Sequence, residues 1–339
     1  MRTVLICTLL LGACSDDAPP LTDATSLKCP RPGDLPFRME SSGFKVADNA
    51  MLAKNDQRVK DEASDTIGNP GGPVASLYLP NDASPAAMPI SYRGTKARTN
   101  PTGGLFAVPL PGENVSLWTY DTEWHSIGQT KTDENGGYEL PDTGFVAPNG
   151  TPVYAMLEAD GDCMEHYTYL LPRGSKIILT DIDGTLTDSD NEQFIQFSDE
   201  TYVPKQMGHA SEMLNAWSQK GYPIVYLSAR YHLYRNETRS WLRDQMFPLG
   251  PLVTEPTLQD ASTYKTLWLN RMIQDFGWVP VAAYGNADTD IAAYENAGIP
   301  KNVTFIVGPL SGMGGTQPID NMDFATHTSS YVAAQPNNQ

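Results

Sequence analysis

The segment Ile177–Thr187 constrains this chain more than any other, because an apolar run there ends in two carboxylates, Asp181 and Asp183. Such a run is typical of a buried parallel strand. Gly184 lets the backbone turn away, so both carboxylates should lie at the carboxyl end of that strand, where open α/β sheets place their chemistry. Two crowded acids repel each other unless a cation lies between them. Mg²⁺, which takes oxygen ligands from carboxylates and substrate phosphates, suits this pattern.

After Arg173 the apolar strands alternate with amphipathic helices, which predicts a doubly wound parallel sheet. The predicted strands span residues 176–180, 223–227, 279–284 and 303–307. The predicted helices span residues 209–220, 236–246, 263–276 and 290–297. Three of these helices are followed by glycines suited to left-handed C-terminal caps, namely Gly221, Gly277 and Gly298. The short spacing between the motifs leaves no room for a large cap domain.

Four polar residues accompany the acid pair at predicted strand ends or helix starts. Ser228 follows the strand 223–227, and Lys265 lies at the start of a helix. Asn286 and Asp290 follow the strand 279–284 and offer oxygen ligands. Taken singly, these are an ordinary serine, a solvated lysine and a helix N-cap. Taken together and in this order, they point to a site for phosphoryl transfer.

This order of acid pair, serine, lysine and acidic turn resembles the haloacid dehalogenase (HAD) superfamily. The motifs 181–190 and 226–230, with Gly285-Asn286 followed by Asp290 and Tyr294, look like the catalytic domain of lipins, the Mg²⁺-dependent phosphatidate phosphatases. The region 176–308 is also similar to the lipin-like domain of membrane-associated phosphatidylinositol transfer proteins. The chain departs from lipins by lacking their amphipathic amino-terminal helix, which leaves the choice of lipid substrate open.

The resemblance implies a role for each acid. Asp181 would attack phosphorus to form an aspartyl-phosphate, and Asp183 would act as general acid and then general base. Mg²⁺ would be held by Asp181, the Asp183 carbonyl, Asn286 and Asp290, with Asp288 as the alternative ligand. The implied activity is Mg²⁺-dependent hydrolysis of a phosphomonoester.

The resemblance also implies which residues bind the substrate phosphate. Ser228 and Lys265 would orient the phosphoryl oxygens and neutralise their charge as part of the catalytic set. Thr185 and Arg230 complete the predicted substrate-binding residues, Arg230 through a bidentate contact.

The amino-terminal sequence predicts that the protein is exported from the cytoplasm. A charged start, a short apolar run and the sequence Leu11-Gly12-Ala13-Cys14 are typical of a signal peptide over residues 1–13. Its end resembles a bacterial lipobox, which implies lipidation of Cys14; an ordinary signal with an incidental cysteine is the alternative. Residues 14–36 are predicted to form a tether, and we expect an extracytoplasmic protein, lipid-anchored to a bacterial membrane or otherwise secreted.

Two cysteines remain once Cys7 and Cys14 are assigned to the amino terminus, and an oxidising compartment makes a disulfide between Cys29 and Cys163 a candidate. Their separation in sequence says nothing about geometry. The formal net charge of −17 argues against non-specific binding to nucleic acid.

The rest of the chain is predicted to surround this phosphatase-like domain, which spans 173–310. Residues 37–73 form a lead-in with helix within 47–63. Residues 74–172 alternate with period two between turns and predict a small antiparallel β-sandwich; within it, 112–140 resembles immunoglobulin-like or prealbumin-like modules. Residues 311–339, rich in Gly, Asn, Ser and Thr, are predicted to be loosely ordered.

Three functions are compatible with these features. The first is a phosphatidate phosphatase-like enzyme acting on a membrane lipid. The second is a phosphatidate-binding sensor without turnover, and the third is a general secreted HAD acid phosphatase. The presence of both Asp181 and Asp183 favours an enzyme.

Overall fold

The computed structural model describes residues 42–55, 59–63, 65–76, 86–87, 90–98, 107–141, 143–198, 202–255 and 260–338. The predicted signal peptide, the lipidation site Cys14, the tether and Cys29 lie outside these ranges and stay predictions. None of the described helices has the length and hydropathy that a membrane span requires.

The strands of the amino-terminal part are β1 (Val59–Ala63), β2 (Thr66–Gly68), β3 (Pro73–Ser76), β4 (Ala86–Ala87), β5 (Tyr92–Arg98), β6 (Val108–Pro109), β7 (Asn114–Tyr120), β8 (Trp124–Lys131), β9 (Gly137–Leu140), β10 (Val153–Leu157), β11 (Cys163–His166) and β12 (Thr168–Leu170). The strands that follow are β13 (Lys176–Thr180), β14 (Ile224–Tyr231), β15 (Leu252–Glu255), β16 (Val279–Gly285), β17 (Thr304–Val307) and β18 (Gln317–Ile319).

The α-helices are α1 (Ala47–Asn55), α2 (Glu192–Ser198), α3 (Ala210–Gln219), α4 (Arg235–Asp244), α5 (Ala261–Asn270), α6 (Asp288–Asn296) and α7 (Ala325–His327). Short 3₁₀ segments span His232–Tyr234, Lys301–Val303, Gly308–Leu310, Met313–Gly315 and Asp320–Met322. Arg271–Asp275 and Thr328–Val332 form π-helical turns that extend α5 and α7.

The carboxyl-terminal part is built on a six-stranded, all-parallel sheet in the order β15-β14-β13-β16-β17-β18. Alternate residues of β13 face opposite layers: Ile178 joins an apolar cluster that includes α3 and α4, while Ile177 and Leu179 join one that includes α5 and α6. Helices therefore cover both faces, and the predicted parallel α/β architecture is confirmed.

Strand β13 has the predicted bounds, and Gly221, Gly277 and Gly298 have the positive φ angles expected of helix C-terminal caps. Helix α5 begins at Ala261, two residues earlier than predicted, because Asp260 caps it by accepting the Thr263 N–H at 2.8 Å. Two strands were missed, β15 and β18. Both are short edge strands, and Pro318 within β18 carries no N–H for a ladder, so neither has a clear strand pattern in sequence.

The prediction that residues 311–339 are loosely ordered is wrong for 311–338. Strand β18 pairs in parallel with β17, and the segment that follows returns to the sheet. Phe324 and Val332 are fully buried in the cluster that contains α3, and His327 stacks on Tyr331. A few apolar side chains placed at helical spacing outweigh the polar composition of this segment.

The amino-terminal part contains a β-sandwich, as predicted. One sheet has the order β1-β5-β6 with β9 also paired to β5, and the other has the order β11-β10-β7-β8; all pairs in both are antiparallel. Their facing sides share a core of buried residues that includes Tyr92 and Tyr138 from one sheet and Leu117 and Val153 from the other.

The boundary predicted at residue 74 is wrong, because the supposed lead-in supplies strands. Helix α1 covers only part of 47–63, and residues 59–63 instead form β1, which pairs along β5. Strand β2 lies between β12, to which it is parallel, and β3 in a third sheet. Pairing with distant strands decides the conformation of this weakly patterned segment.

The third sheet joins the sandwich to the parallel sheet. Ile67 and Ala75 pack with Tyr169 in the same apolar cluster as Trp268 of α5. The two parts of the molecule therefore share a hydrophobic core. Cys163 is disulfide-bonded, and since the chain's other cysteines lie outside the described residues, its pairing with Cys29 stays a prediction.

A buried charge cluster ties the same two parts together. The Asp65 side chain, 1% exposed, accepts hydrogen bonds from the guanidinium groups of Arg235 and Arg239 on α4. It also accepts the Leu252 N–H at 2.8 Å, at the start of β15. Asp65 thus joins the start of β2 to two elements of the parallel sheet.

We predict that Asp65→Ala destabilises the protein by about 3–5 kcal/mol, because it leaves two buried guanidinium groups without their carboxylate. The measurement is urea unfolding followed by circular dichroism. The matched control is Glu139→Ala, which removes an exposed pair with Arg93 and should change the free energy of unfolding by less than about 1 kcal/mol. Equal effects of the two substitutions would contradict the anchoring role of Asp65.

Candidate active site

The acid pair lies at the carboxyl edge of the parallel sheet, as predicted. Asp181 directly follows β13, and its N–H donates to the Tyr284 carbonyl of the neighbouring strand β16 at 3.0 Å. This hydrogen bond fixes the backbone at the strand end. The Asp181 side chain is 6% exposed.

Lys265 connects Asp181 to the second predicted acidic motif. Its Nζ donates to Asp181 Oδ1 at 2.7 Å and to Asp290 Oδ1 at 2.6 Å. The other Asp290 oxygen accepts the N–H groups of Asn286 and Ala287, each at 3.1 Å, so Asp290 also caps the start of α6. The structure thus brings three predicted site residues into one buried ion cluster.

Burial and charge oppose each other in this cluster. Removal from water raises the pKa of Asp181 to about 7; repulsion from Asp290 and Asp183 adds to that rise, while Lys265 opposes it. For Lys265, burial disfavours the charged ammonium, but its two carboxylate partners outweigh burial and raise its pKa. The ammonium therefore stays charged, and the site holds more carboxylate charge than it neutralises.

Asp183 has a different partner. The Arg230 guanidinium donates from Nε to Asp183 Oδ2 at 2.9 Å and from Nη2 to Oδ1 at 2.8 Å. Its Nη1 donates to Thr238 Oγ1 at 3.1 Å, and the Trp241 ring lies 6.0 Å away. Arg230, which is 1% exposed, is held by α4 and clamps both oxygens of Asp183. The sequence prediction assigned Arg230 to substrate, and its fork on Asp183 was missed.

Ser228 lies within β14, which runs to Tyr231, so the prediction that the strand ends at Leu227 is wrong at that boundary. The pairing of β14 with β13 nevertheless stops at Tyr226. Ser228 therefore lies beyond the segment that pairs with β13, while β14 continues beside β15 as far as Tyr231. It is buried, and its Oγ accepts the Arg230 N–H at 3.2 Å.

The turn after the acid pair contacts the last motif. Thr185 Oγ1 donates to Asn286 Oδ1 at 3.2 Å, and Asn286 Nδ2 donates to Asp190 Oδ1 at 2.8 Å. Gly184 has φ +66°, and a Cβ there would lie 2.1 Å from Asn286 Nδ2. Asp190 was not predicted as a site residue, although it ends the 181–190 motif. The predicted alternative ligand Asp288 is exposed to solvent.

A magnesium ion fits the donors present at this edge. Three acids, Asp181, Asp183 and Asp290, face two cationic side chains, which leaves one negative charge. Asp181 Oδ2 makes no hydrogen bond to the described residues. Within these ranges no three His, Cys, Asp or Glu side chains could hold a metal by themselves. Mg²⁺ commonly relies on one or two carboxylates with other oxygens, which Asp181, Asp290 and Asn286 supply.

We predict that Gly184→Ala lowers the free energy of unfolding by about 2 kcal/mol or more. Alanine is strained at this positive φ angle, and its methyl group would displace Asn286. Gly174→Ala is the matched control: Gly174 also has positive φ, but nothing lies within 4 Å of a Cβ there. Urea unfolding of both variants separates the cost of the positive φ angle, which both share, from the cost of the clash with Asn286. Equal losses would show that the contact with Asn286 is unimportant.

Comparison with known proteins finds a similar domain over the region that holds this site. Residues 178–308 match the family model described as "PITM 1-3, LNS2 domain". Over 247 residues the chain is 29% identical to protein retinal degeneration B of Drosophila melanogaster, covering 70% of this chain and 18% of that protein. Over 213 residues it is 28% identical to membrane-associated phosphatidylinositol transfer protein 3 of Mus musculus, covering 61% of this chain and 21% of that protein.

The chain spans about a fifth of the length of these relatives. Among solved structures, a chain of the Pnkp1/Rnl/Hen1 complex aligns over 43% of this chain and 53% of its own length, with a TM-score of 0.32 and 16% identity. A likeness of that size supports no conclusion about function. The similarity to phosphatidylinositol transfer proteins covers the acid pair and every other predicted site residue of the parallel-sheet domain.

Proposed function

We propose that this chain is a Mg²⁺-dependent phosphomonoester hydrolase of HAD type that works through an aspartyl-phosphate and acts on a phosphatidate-like membrane lipid. The observation that carries the proposal is the buried cluster in which Lys265 bridges Asp181 and Asp290. The charged lysine opposes the rise in the pKa of Asp181 that burial causes, and it thereby favours the ionised form of the nucleophile.

Asp181 is the proposed nucleophile. Lys265 binds its Oδ1, so Oδ2 is the oxygen available to attack phosphorus as the ester P–O bond breaks. The product is an acyl phosphate on Asp181 and an alkoxide that takes a proton from Asp183. In the second half, the Asp183 carboxylate removes a proton from water, which attacks phosphorus and releases inorganic phosphate and Asp181.

The contact between Arg230 and Asp183 would change when substrate binds. Its fork now occupies both oxygens of Asp183, so Asp183 is not free to meet a leaving group in this arrangement. A phosphate dianion also offers two oxygens to the guanidinium and competes with Asp183 for it. Substrate binding would then release the Asp183 carboxylate, which takes up a proton from solvent and donates it to the leaving alkoxide.

Three further side chains would hold the transferring group. Ser228 and Thr185 offer hydroxyls, and Lys265 offers an ammonium beside Asp181. Mg²⁺ held by Asp181, Asp290 and oxygens of Asp183 and Asn286 would neutralise oxygen charge on the phosphoryl group.

A lipid substrate is supported by the relatives and by the amino terminus. The similar proteins are named for phosphatidylinositol transfer and membrane association. A lipidated Cys14 would hold the chain beside a bacterial membrane outside the cytoplasm. The absence of a large cap between the predicted motifs leaves the site open to a bulky substrate; among the described residues α2 and α3 separate Asp183 from Ser228.

Two other functions remain candidates. The fork of Arg230 on Asp183 favours a module that binds phosphatidate without turnover, since it withholds the general acid. The same catalytic residues also suit a general secreted phosphatase, for which the lipid is irrelevant. The three proposals differ in turnover and in substrate size.

We expect the mature protein to release phosphate from phosphatidate in mixed micelles with Mg²⁺ and to lose this activity with chelator. Asp181→Asn should lower the rate by on the order of 10³-fold or more, because the nucleophile is lost. Glu295→Gln, at an exposed pair with Lys301, is the control and should retain the rate. Micelle binding by wild type without Asp181-dependent release would instead indicate the sensor.

We further expect kcat/KM for phosphatidate to exceed that for glycerol 3-phosphate, which carries the same phosphate without acyl chains, by at least tenfold. Contact with the lipid outside the phosphate would supply that difference, which corresponds to about 1.4 kcal/mol. The measurement is initial phosphate release over a range of substrate concentrations. Equal values would identify a general phosphatase.

A further inference from the structure

A second candidate binding site lies at the opposite edge of the parallel sheet from the acid pair. A cavity of about 410 Å³ opens where β11 and the residue after it meet the carboxyl-terminal half of α4 and the loop 246–249. That loop leads into β15, so it lies at the amino edge of the sheet. The volume falls within the roughly 300–1,000 Å³ typical of small-molecule sites.

Most of the wall is apolar. Leu242 and Phe247 are buried in it, while Met246 and Leu249 at its rim are 75% and 53% exposed. Large apolar side chains exposed next to an apolar cavity are typical of a ligand entrance. The rim is held in place, because Asn215 Nδ2 donates to the Met246 carbonyl at 2.7 Å.

Glu165 and Arg243, which line the cavity, each have a buried polar atom without a hydrogen-bond partner among the described residues. Glu165 is 2% exposed; its Oε2 accepts from Tyr167 OH at 2.5 Å, but its Oε1 has no hydrogen-bond partner among the described residues. Within the same ranges, Arg243 Nη2 is buried and also unpartnered, and only its Nε lies near a carboxylate, 3.5 Å from Asp244. Buried polar atoms without partners are rare in folded proteins and call for an explanation.

The charged side chains that line the cavity favour one class of ligand head group. Two guanidinium groups line the cavity, and Arg239 is already paired with Asp65, which leaves Arg243 to bind a ligand. Burial raises the pKa of Glu165, while the hydrogen bond from Tyr167 and the nearby guanidinium groups oppose that rise. A cationic head group would be repelled by both guanidinium groups of the wall, whereas an anionic head group can accept hydrogen bonds from Arg243.

We infer that this cavity binds a single-chain lipid with an anionic head, of the fatty-acid class, its chain against Leu242, Phe247 and Leu249 and its head on Arg243. The guanidinium offers the paired donors that a carboxylate accepts. Exposed Met246 and Leu249 mark the entrance through which the chain passes. This site is separate from the proposed phosphatase site and does not depend on it.

The test is isothermal titration of the mature protein with dodecanoate, with dodecanesulfonate and with dodecanol, each below its critical micelle concentration. We expect both anionic probes to bind at one site and at least tenfold more tightly than dodecanol. Arg243→Gln should lower dodecanoate affinity at least tenfold and leave dodecanol affinity unchanged. Asp181→Asn should leave both unchanged, which separates this cavity from the catalytic site.

Two variants complete the design. Arg93→Gln removes an arginine from an exposed pair elsewhere and should leave dodecanoate affinity unchanged, which excludes a general charge effect. Leu249→Glu, at an exposed position, should weaken all three probes at the entrance and keeps the test valid if Arg243→Gln does not fold. No binding, equal binding of dodecanoate and dodecanol, or binding unaffected by Arg243→Gln and Leu249→Glu would overturn the inference.

Discussion

The ammonium group of Lys265 is the interaction on which the candidate active site depends. Asp181 directly follows β13, Asp290 lies in the first turn of α6 after the neighbouring strand β16, and both are buried. Without a cation between them, two carboxylates at this depth would repel each other and take up protons. Lys265 reaches both because α5 packs on the face of the sheet beneath them, against α6. Lys265 therefore limits how far burial raises the pKa of Asp181.

The acids of the same site pair with two different cations, because Arg230 provides a second one besides Lys265. Lys265 binds Asp181 and Asp290, while Arg230 binds Asp183, although only Ile182 separates Asp181 from Asp183 in the chain. Each of the two carboxylates of the acid pair therefore contacts a different cation. This division is the physical basis for giving the two acids different chemical roles, and for a substrate phosphate to compete with one of them.

The β-sandwich is part of this construction rather than a loosely attached module. Asp65 connects β2 to α4, the helix that also holds Arg230 through Thr238. The third sheet contributes Ile67 and Tyr169 to the core shared with α5. The amino-terminal part is thus linked to α5, which carries Lys265, and to α4, whose Thr238 accepts a hydrogen bond from Arg230.

The sequence by itself determined the parallel sheet, the position of Asp181 and Asp183 at its edge, and the gathering of Ser228, Lys265, Asn286 and Asp290 there. Continuous apolar runs and strand-end placement are local properties, so a single chain segment encodes them. The tertiary structure alone decided that Arg230 clamps Asp183, that 59–63 becomes a strand and that 311–338 folds onto the sheet. Each depends on contacts between residues far apart in the chain, such as Asp65 and Arg235, and local pattern carries no information about which distant side chains meet.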